Sequence, residues 1–222
     1  MAFHMEKFGA PNITRFGEAA LVLDIDRVTT LDMQRTLGRA AAALVPIAGV
    51  VDVVAGLGNL TLFYDPLLLA QASAREQLAR AWSDAQRDAG DGTQVTVHIP
   101  VRYGGTDGPD LAEVAHACGL DGETFIERHL RGEYAVYVMG FAPGFPYLGG
   151  LDTALHVPRR AQPRTQVPAG SVAIAGAMTG IYPRESPGGW NIIGRTDLKL
   201  FDVQASPVAL LSVGTRVRFT RQ

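Results

Sequence analysis

Apolar and polar positions alternate over short runs in much of this chain, and two longer stretches repeat apolar residues at helical spacing instead. Ala19-Ala20-Leu21-Val22-Leu23-Asp24-Ile25 reads as a strand. After it, Met33, Leu37, Ala41 and Leu44 recur at intervals of three and four, the buried stripe of a helix. Thr30 stands where an N-cap is needed, and Asp32 falls in the first turn, where a carboxylate faces the positive end of the helix dipole. Pro46 limits how far that helix runs. Val50–Val54 and Leu60–Tyr64 predict two strands joined through Gly56-Leu57-Gly58-Asn59 as a hairpin. A second helix is predicted from about Ala72 to Arg87, with Leu78 and Trp82 facing inward. Glu76–Arg80 and Arg80–Asp84 form i,i+4 pairs on its wet face. The order strand, helix, strand, strand, helix predicts a small α+β domain of ferredoxin-like type over residues 1–92.

Ala89-Gly90-Asp91-Gly92-Thr93 reads as a linker, and residues 93–222 follow a different grammar. Val95–Val101 alternates as a strand, and short helices are predicted near Asp110–Ala117 and Gly122–Leu130. Strands follow at Tyr134–Phe141, Ser171–Ala175, Trp190–Ile193, Leu198–Val203 and Val213–Phe219. Residues 1–95 hold 8 Gly and 3 Pro, whereas residues 140–196 alone hold 10 Gly and 7 Pro, so long shaped loops must join these strands. Many short strands with such loops predict a mainly-β domain, a closed or nearly closed barrel.

Composition narrows the function. Of the 222 residues, 47% are hydrophobic, enough to bury cores, and 20 Lys+Arg against 22 Asp+Glu leave a net charge of -2. No global field draws the chain to nucleic acid or to an anionic membrane. Cys118 is the single cysteine, which excludes an intramolecular disulfide or a Cys-rich metal site. It reads as a small apolar residue rather than a nucleophile. Glu6 and Lys7 interrupt Met1–Pro11, which has no signal-peptide core. The longest uncharged stretch, Thr165–Pro183, is broken by Pro168, Gly170, Gly176 and Gly180. A cytoplasmic protein without membrane or nucleic-acid partners is expected.

Three constellations could carry chemistry. Gly140-Phe141-Ala142-Pro143-Gly144-Phe145-Pro146-Tyr147-Leu148-Gly149-Gly150 interleaves rings with residues that free or lock the backbone. Such a segment suits either aromatic faces presented to a ligand or a rigid loop packed into the barrel. Between residues 140 and 196 stand five Arg, among them Arg159, Arg160, Arg164, Arg184 and Arg195, against two acids, Asp152 and Glu185. That excess suits bidentate binding of carboxylate or phosphate, or else surface cations. In Ser186–Thr196, Gly188 and Gly189 could turn successive N–H groups toward one anion, with Trp190 capping it and Arg195 neutralising it. The same glycines also suit a plain hairpin with Trp190 packed inside. No Walker-type phosphate loop, His-Glu-x-x-His helix or G-x-S-x-G elbow occurs, and no metal site is expected among His98, His116, His129 and His156. His129, just ahead of the glycine-rich region, is the histidine to test first.

Taken together these segments resemble the allophanate hydrolase subunit 1 family, also called the KipI family. The resemblance rests on the Gly140–Gly150 run, the Pro-Arg pairs at 158–159 and 163–164, Val167–Gly176, Ile181-Tyr182-Pro183 and Ser186–Thr196. It is dense from about Val97 to Asp202. Over the first domain only the element order and Tyr64-Asp65-Pro66 agree. The family includes the B subunit of the bacterial 5-oxoprolinase, which the resemblance favours, a sporulation-kinase inhibitor, and part of the urea-carboxylase carboxyltransferase region. It implies a cyclophilin-like barrel for residues 93–222 and an enzyme subunit that is incomplete alone. Its expected partners are a larger homologous C-type subunit and a ring-opening A-type subunit.

In that scheme the B and C subunits use ATP, with Mg, to phosphorylate the amide oxygen of 5-oxoproline before the A subunit opens the ring to glutamate. No cofactor is expected on the isolated chain. Residue type then makes Arg160, Arg164 and Arg195 the candidates for charge around the phosphate. Phe145, Tyr147, Gly188, Gly189 and Trp190 are candidates for substrate walls, and Tyr182 or His129 for orienting the substrate. The alternatives are inhibition of a histidine kinase and a urea- or allophanate-linked carboxyltransferase role. Prolyl isomerisation, suggested by the barrel alone, ranks last.

Overall fold

In the computed structural model, which describes residues 8–25, 29–87 and 96–222, the chain divides into two units, residues 1–93 and 94–222. The linker expected over Ala89–Thr93, and Val95 at the start of the next expected strand, lie outside the described residues.

The first unit contains β1 (Asn12–Arg15), β2 (Ala20–Asp24), α1 (Leu31–Leu44), β3 (Val50–Ala55), β4 (Asn59–Tyr64) and α2 (Gln71–Arg87). Its four strands form an antiparallel sheet in the order β1-β2-β4-β3. Period-two alternation turns Leu21, Leu23, Leu60, Leu62 and Tyr64 to one face, where Met33, Leu37, Leu44, Leu78 and Trp82 from both helices bury them. The Thr30 hydroxyl accepts from the Met33 amide at 3.2 Å, the expected N-cap, and the helix stops ahead of Pro46. Ala40 is fully buried in the helical stripe, with Ala41 beside it only partly buried. The buried Gln34 amide, which no pattern flagged, pins the hairpin turn: its Nε2 donates to the Gly56 carbonyl at 3.0 Å and its Oε1 accepts from the Gly58 amide at 2.8 Å. Strand β1 is an addition to the expected order. It pairs along the outer edge of β2, and because only Ile13 of its four residues is buried, it carries no readable alternation.

The second unit runs β5 (Thr96–Tyr103), α3 (Leu111–Ala117), α4 (Gly122–Arg131), β6 (Tyr134–Met139), β7 (Pro146–Gly149), β8 (Arg164–Val167), β9 (Ser171–Ala175), β10 (Met178–Ile181), β11 (Ser186–Gly188), β12 (Asn191–Arg195) and β13 (Arg216–Arg221). Seven strands close a barrel in the order β10-β7-β6-β13-β5-β12-β9, while β8 and β11 form a separate two-stranded ribbon. Ile99, Val101, Val136, Leu148, Val172, Ile174, Ile181, Ile193 and Val217 fill its interior. Strands β7, β8, β10 and β11 were not expected; each is four residues or fewer, too short for alternation to stand out. Leu198–Val203, expected as a strand, forms only an isolated bridge from Phe201 to Ala209. No helix among the described residues is long and apolar enough to cross a membrane.

His129 corrects an expectation. Carried on α4, it is fully buried against Phe219, with ring centroids 4.6 Å apart, and against Tyr134 at 5.3 Å. Thr179 donates its hydroxyl hydrogen to the Ala173 carbonyl at 3.0 Å and therefore accepts from His129 Nε2 at 3.2 Å. That leaves Nδ1 to accept from the Tyr103 hydroxyl at 2.8 Å. Both ring nitrogens are taken by the protein, so His129 is a structural residue of the barrel core and not a substrate-orienting one. Burial holds its pKa down to about 3.

Protonation of His129 must therefore oppose folding. Below pH 6.5 the unfolded chain takes up a proton that the folded chain refuses until about pH 3, so stability from this group is full above pH 6.5 and declines as pH falls. Urea unfolding at pH 7 and pH 5 should show the natural chain losing about 2 kcal/mol more than the His129→Gln variant. Equal losses in the two proteins would contradict a buried neutral imidazole.

Candidate functional site

Strands of a closed barrel have two faces, and here the outer one matters. On β7, β9, β10 and β12 the inward residues Leu148, Val172, Ile174, Ile181 and Ile193 belong to the barrel core. The alternate residues Tyr147, Ala173, Ala175, Met178 and Ile192 point outward and pack under Phe145, Tyr182 and Trp190. The aromatic cluster thus sits on the outer wall of the barrel. Phe145 is its hub, with ring centroids 4.9 Å from Tyr147, 5.1 Å from Tyr182 and 5.7 Å from Trp190. Phe141 stands at the rim, 62% exposed and edge-on to Phe145 at 5.4 Å. It is the one non-glycine residue with positive φ, 65°, among the described residues. Burial pushes the Tyr182 hydroxyl pKa up, against the opposing pull of a Trp190 backbone hydrogen bond and the nearby Arg159 and Arg164 charges.

Gly188 serves packing, and neither Gly188 nor Gly189 forms an anion nest. Neither has the positive φ that a nest requires, and Gly188 lies in β11, paired with Arg164. A Cβ on Gly188 would come within 2.3 Å of the Tyr182 hydroxyl oxygen, so only glycine lets the ring lie there. The Gly189 carbonyl accepts from the Arg160 amide at 2.8 Å, which ties the 158–163 segment to the end of the ribbon.

The arginines meet at an acid that the sequence did not single out. Asp110, only 3% exposed, accepts from Arg160 Nη1 at 2.8 Å, from Arg164 Nη1 at 2.8 Å and Nη2 at 2.7 Å, and from the Ile192 amide at 2.7 Å. The Arg164 contact is the bidentate fork that guanidinium and carboxylate favour, and it pushes the Arg164 pKa further up. Although Asp110 precedes α3, its side chain makes no cap there. All of its acceptor capacity is turned to the cations and to β12. Arg160 Nε is buried without a hydrogen-bond partner among the described residues.

Beside this corner a cavity of about 470 Å³ opens between α3 and the Pro158–Gln162 segment, lined among others by Glu113, Arg159, Arg160 and Asn191. Asn191 shapes its floor, donating through Nδ2 to the Pro158 carbonyl at 2.9 Å. Arg195 is not part of this group. It lies at the far end of β12, roughly 13 Å along the strand from Asn191. Its Nε donates to the Ala169 carbonyl at 3.0 Å, and its neighbour across the ladder is Arg102, which pairs with Asp107 and Asp197. The structure therefore brings together Phe145, Tyr147, Tyr182, Gly188, Gly189, Trp190, Arg160 and Arg164, and separates Arg195 and His129 from them. Cys118 is partly buried, and burial pushes its thiol pKa up, away from the thiolate.

Asp110→Ala should leave two guanidinium groups and the Ile192 amide without their acceptor. The expected cost is about 3–5 kcal/mol in chemical denaturation. A loss within 0.5 kcal/mol, the ordinary range of surface substitutions, would show that this pairing does not hold the corner.

The B subunit of 5-oxoprolinase from Escherichia coli O157:H7 is 46% identical to this chain over 207 residues, which is 93% of the chain and 94% of that protein. The crystal structure of TTHA0988 matches with a TM-score of 0.79 and 38% identity, covering 92% of this chain; the chain spans 40% of that protein's length. The Kluyveromyces lactis urea amidolyase shares the fold at a TM-score of 0.78 but only 18% identity, over 96% of this chain and 15% of the larger one. The family model for the carboxyltransferase domain, subdomain C and D, matches residues 11–211. The chain belongs to that carboxyltransferase-domain family, the allophanate hydrolase subunit 1 family.

Proposed function

We propose that this chain is one component of a 5-oxoprolinase, in which its arginine and aromatic corner contributes to handling a small cyclic amide acid. The observation that carries the reading is the 46% identity with the B subunit of a 5-oxoprolinase across 93% of the chain. The corner supports it physically. Cations held by a buried acid, next to rings that exclude water, favour an anion where charge builds up during reaction. The likeness to urea amidolyase is one of fold alone and brings no activity with it.

In this reading the catalytic unit is an assembly. A larger homologous partner of C type completes the site, and an A-type partner opens the ring. ATP is a substrate of the assembly, with Mg as counter-ion to its phosphates. A lactam resists hydrolysis because its amide resonance must be broken, and transfer of the γ-phosphoryl group to the amide oxygen converts that oxygen into a leaving group. This chain's part is to bind, orient and keep water away. Arg164, already forked to Asp110, acts through position, whereas Arg159 and Arg160 stand at the cavity. The same reading takes the barrel as cyclophilin-like. It takes the first unit as ferredoxin-like in its β2-α1-β3-β4-α2 part, with β1 supplying the fourth strand from the front of the chain. The assembly works in the cytoplasm.

Mixing the purified chain with A-type and C-type partners, 5-oxoproline and ATP should yield glutamate and ADP together. Leaving out any one component should stop glutamate formation. Turnover that proceeds unchanged without this chain, or none with all components present, would remove the assignment.

A further inference from the structure

Two guanidinium groups face one carboxylate at Asp110, and the pairing is unequal. Arg164 spends both terminal nitrogens on it, while Arg160 spends only Nη1. Arg160 has one other hydrogen bond, from its backbone amide to the Gly189 carbonyl. The remaining edge of its guanidinium, Nε with Nη2, thus has no protein acceptor among the described residues, and Nε is buried. That edge is a pair of parallel N–H donors, the shape that one carboxylate fills with both oxygens. Arg160 lines the 470 Å³ cavity, and so does Arg159, whose side chain has no ion pair among the described residues. Glu113, the one acid lining the cavity, makes no ion pair with either of them. Counting Asp110 and Glu113 against Arg159, Arg160 and Arg164 leaves one positive charge over.

Nε is itself buried away from the cavity, so an anion there would meet Arg159 and the outer part of Arg160 first. It would reach Nε only as the guanidinium turns, which would offset the cost of a donor left without an acceptor. The donor geometry favours a planar carboxylate, which a guanidinium edge meets with two parallel hydrogen bonds. The apolar side chains of Val114, Ala117, Val157 and Pro158 in the same cavity suit the hydrocarbon part of a compact ring.

We infer that the cavity between α3 and the Pro158–Gln162 segment is a carboxylate-binding pocket for a small lactam acid, with Arg160 as its bidentate anchor, Arg159 as the second cation, and Asp110 as the positioning residue that holds Arg160 in place. This rests on the 5-oxoprolinase reading for the identity of the acid, and it deepens that reading by assigning recognition of the carboxylate to this chain rather than to a partner. Arg195, at the other end of β12, has no part in it.

The test is calorimetric titration of the full chain with 5-oxo-L-proline, with the uncharged 5-oxo-L-prolinamide, and with inorganic phosphate. The acid should bind about tenfold or more tightly than the amide, since only the acid completes the charged hydrogen bonds. Arg160→Gln and Arg159→Gln should each weaken the acid and leave the amide unchanged; Arg195→Gln should match the natural chain. Arg159 lies outside the Asp110 cluster, so its variant reports on the pocket even where Arg160→Gln disturbs the fold. Asp110→Asn should narrow the preference for acid over amide, an effect that a purely structural role would not produce.

Equal binding of acid and amide, no heat with the acid, or a loss at Arg195→Gln as large as at Arg160→Gln would overturn the proposal. Phosphate binding more tightly than the acid would assign the pocket to a phosphoryl group and overturn it as well. Turnover in the reconstituted assembly without acid binding by this chain would sink the pocket alone. Carboxylate-selective binding without turnover would sink the enzyme reading and keep the pocket.

Discussion

Asp110 is a negative charge placed where water cannot reach it, and the geometry of the corner follows from how that charge is satisfied. Its oxygens receive Arg160, Arg164 and the Ile192 amide, so one carboxylate joins the start of α3, the 158–163 segment, β8 and β12. In a poorly screened setting such a carboxylate tolerates little displacement of its partners, because each would otherwise be left with an unmet charge. The loop that carries Arg159 and Arg160 has no regular structure of its own. Its position comes from this ion cluster, from the Arg160 amide on Gly189 and from Asn191 on the Pro158 carbonyl.

The second constraint is the pleat. Alternate residues of β7, β9, β10 and β12 go to the barrel interior and to the outer wall, so one set of strands supports two apolar clusters back to back. The inner cluster is closed by α4, with the neutral His129 satisfied by Tyr103 and Thr179. The outer cluster is shallow and covered by the β8–β11 ribbon, which leaves Phe141 at its exposed rim in a left-handed conformation that an ordinary side chain avoids. Cations border both: Arg159 and Arg160 line a cavity beside Val114 and Val157 of the inner cluster, and Arg164 stands near Tyr182 of the outer one.

Much of this was legible along the chain. The Thr30 cap, the hairpin through Gly56–Asn59, both helices of the first unit and the strand at Ser171–Ala175 are local features, encoded by neighbours a few residues apart. The segments rich in rings and arginines were also visible, because chemistry so concentrated in sequence falls on adjoining loops. The glycines at 188 and 189 were visible, but their role stayed open. Their pattern fits an anion nest as well as a close approach, and only the Tyr182 ring lying against Gly188 separates the two. Short strands such as β7 and β10 escaped notice because four residues give two alternations at most.

The sequence by itself determined the residue types, the periodicities and the two contrasting halves, all of which depend on interactions within a turn of helix or a length of strand. The tertiary structure decided which charges meet. Asp110 stands 50 residues from Arg160, 54 from Arg164 and 82 from Ile192, and in the sequence it is one acid among 22. The closure of the barrel brought it under the arginine loop, buried His129 beyond a ligand's reach and sent Arg195 to the opposite end of its strand. Pairing over such separations is fixed by topology and burial, and no local pattern along a chain records either.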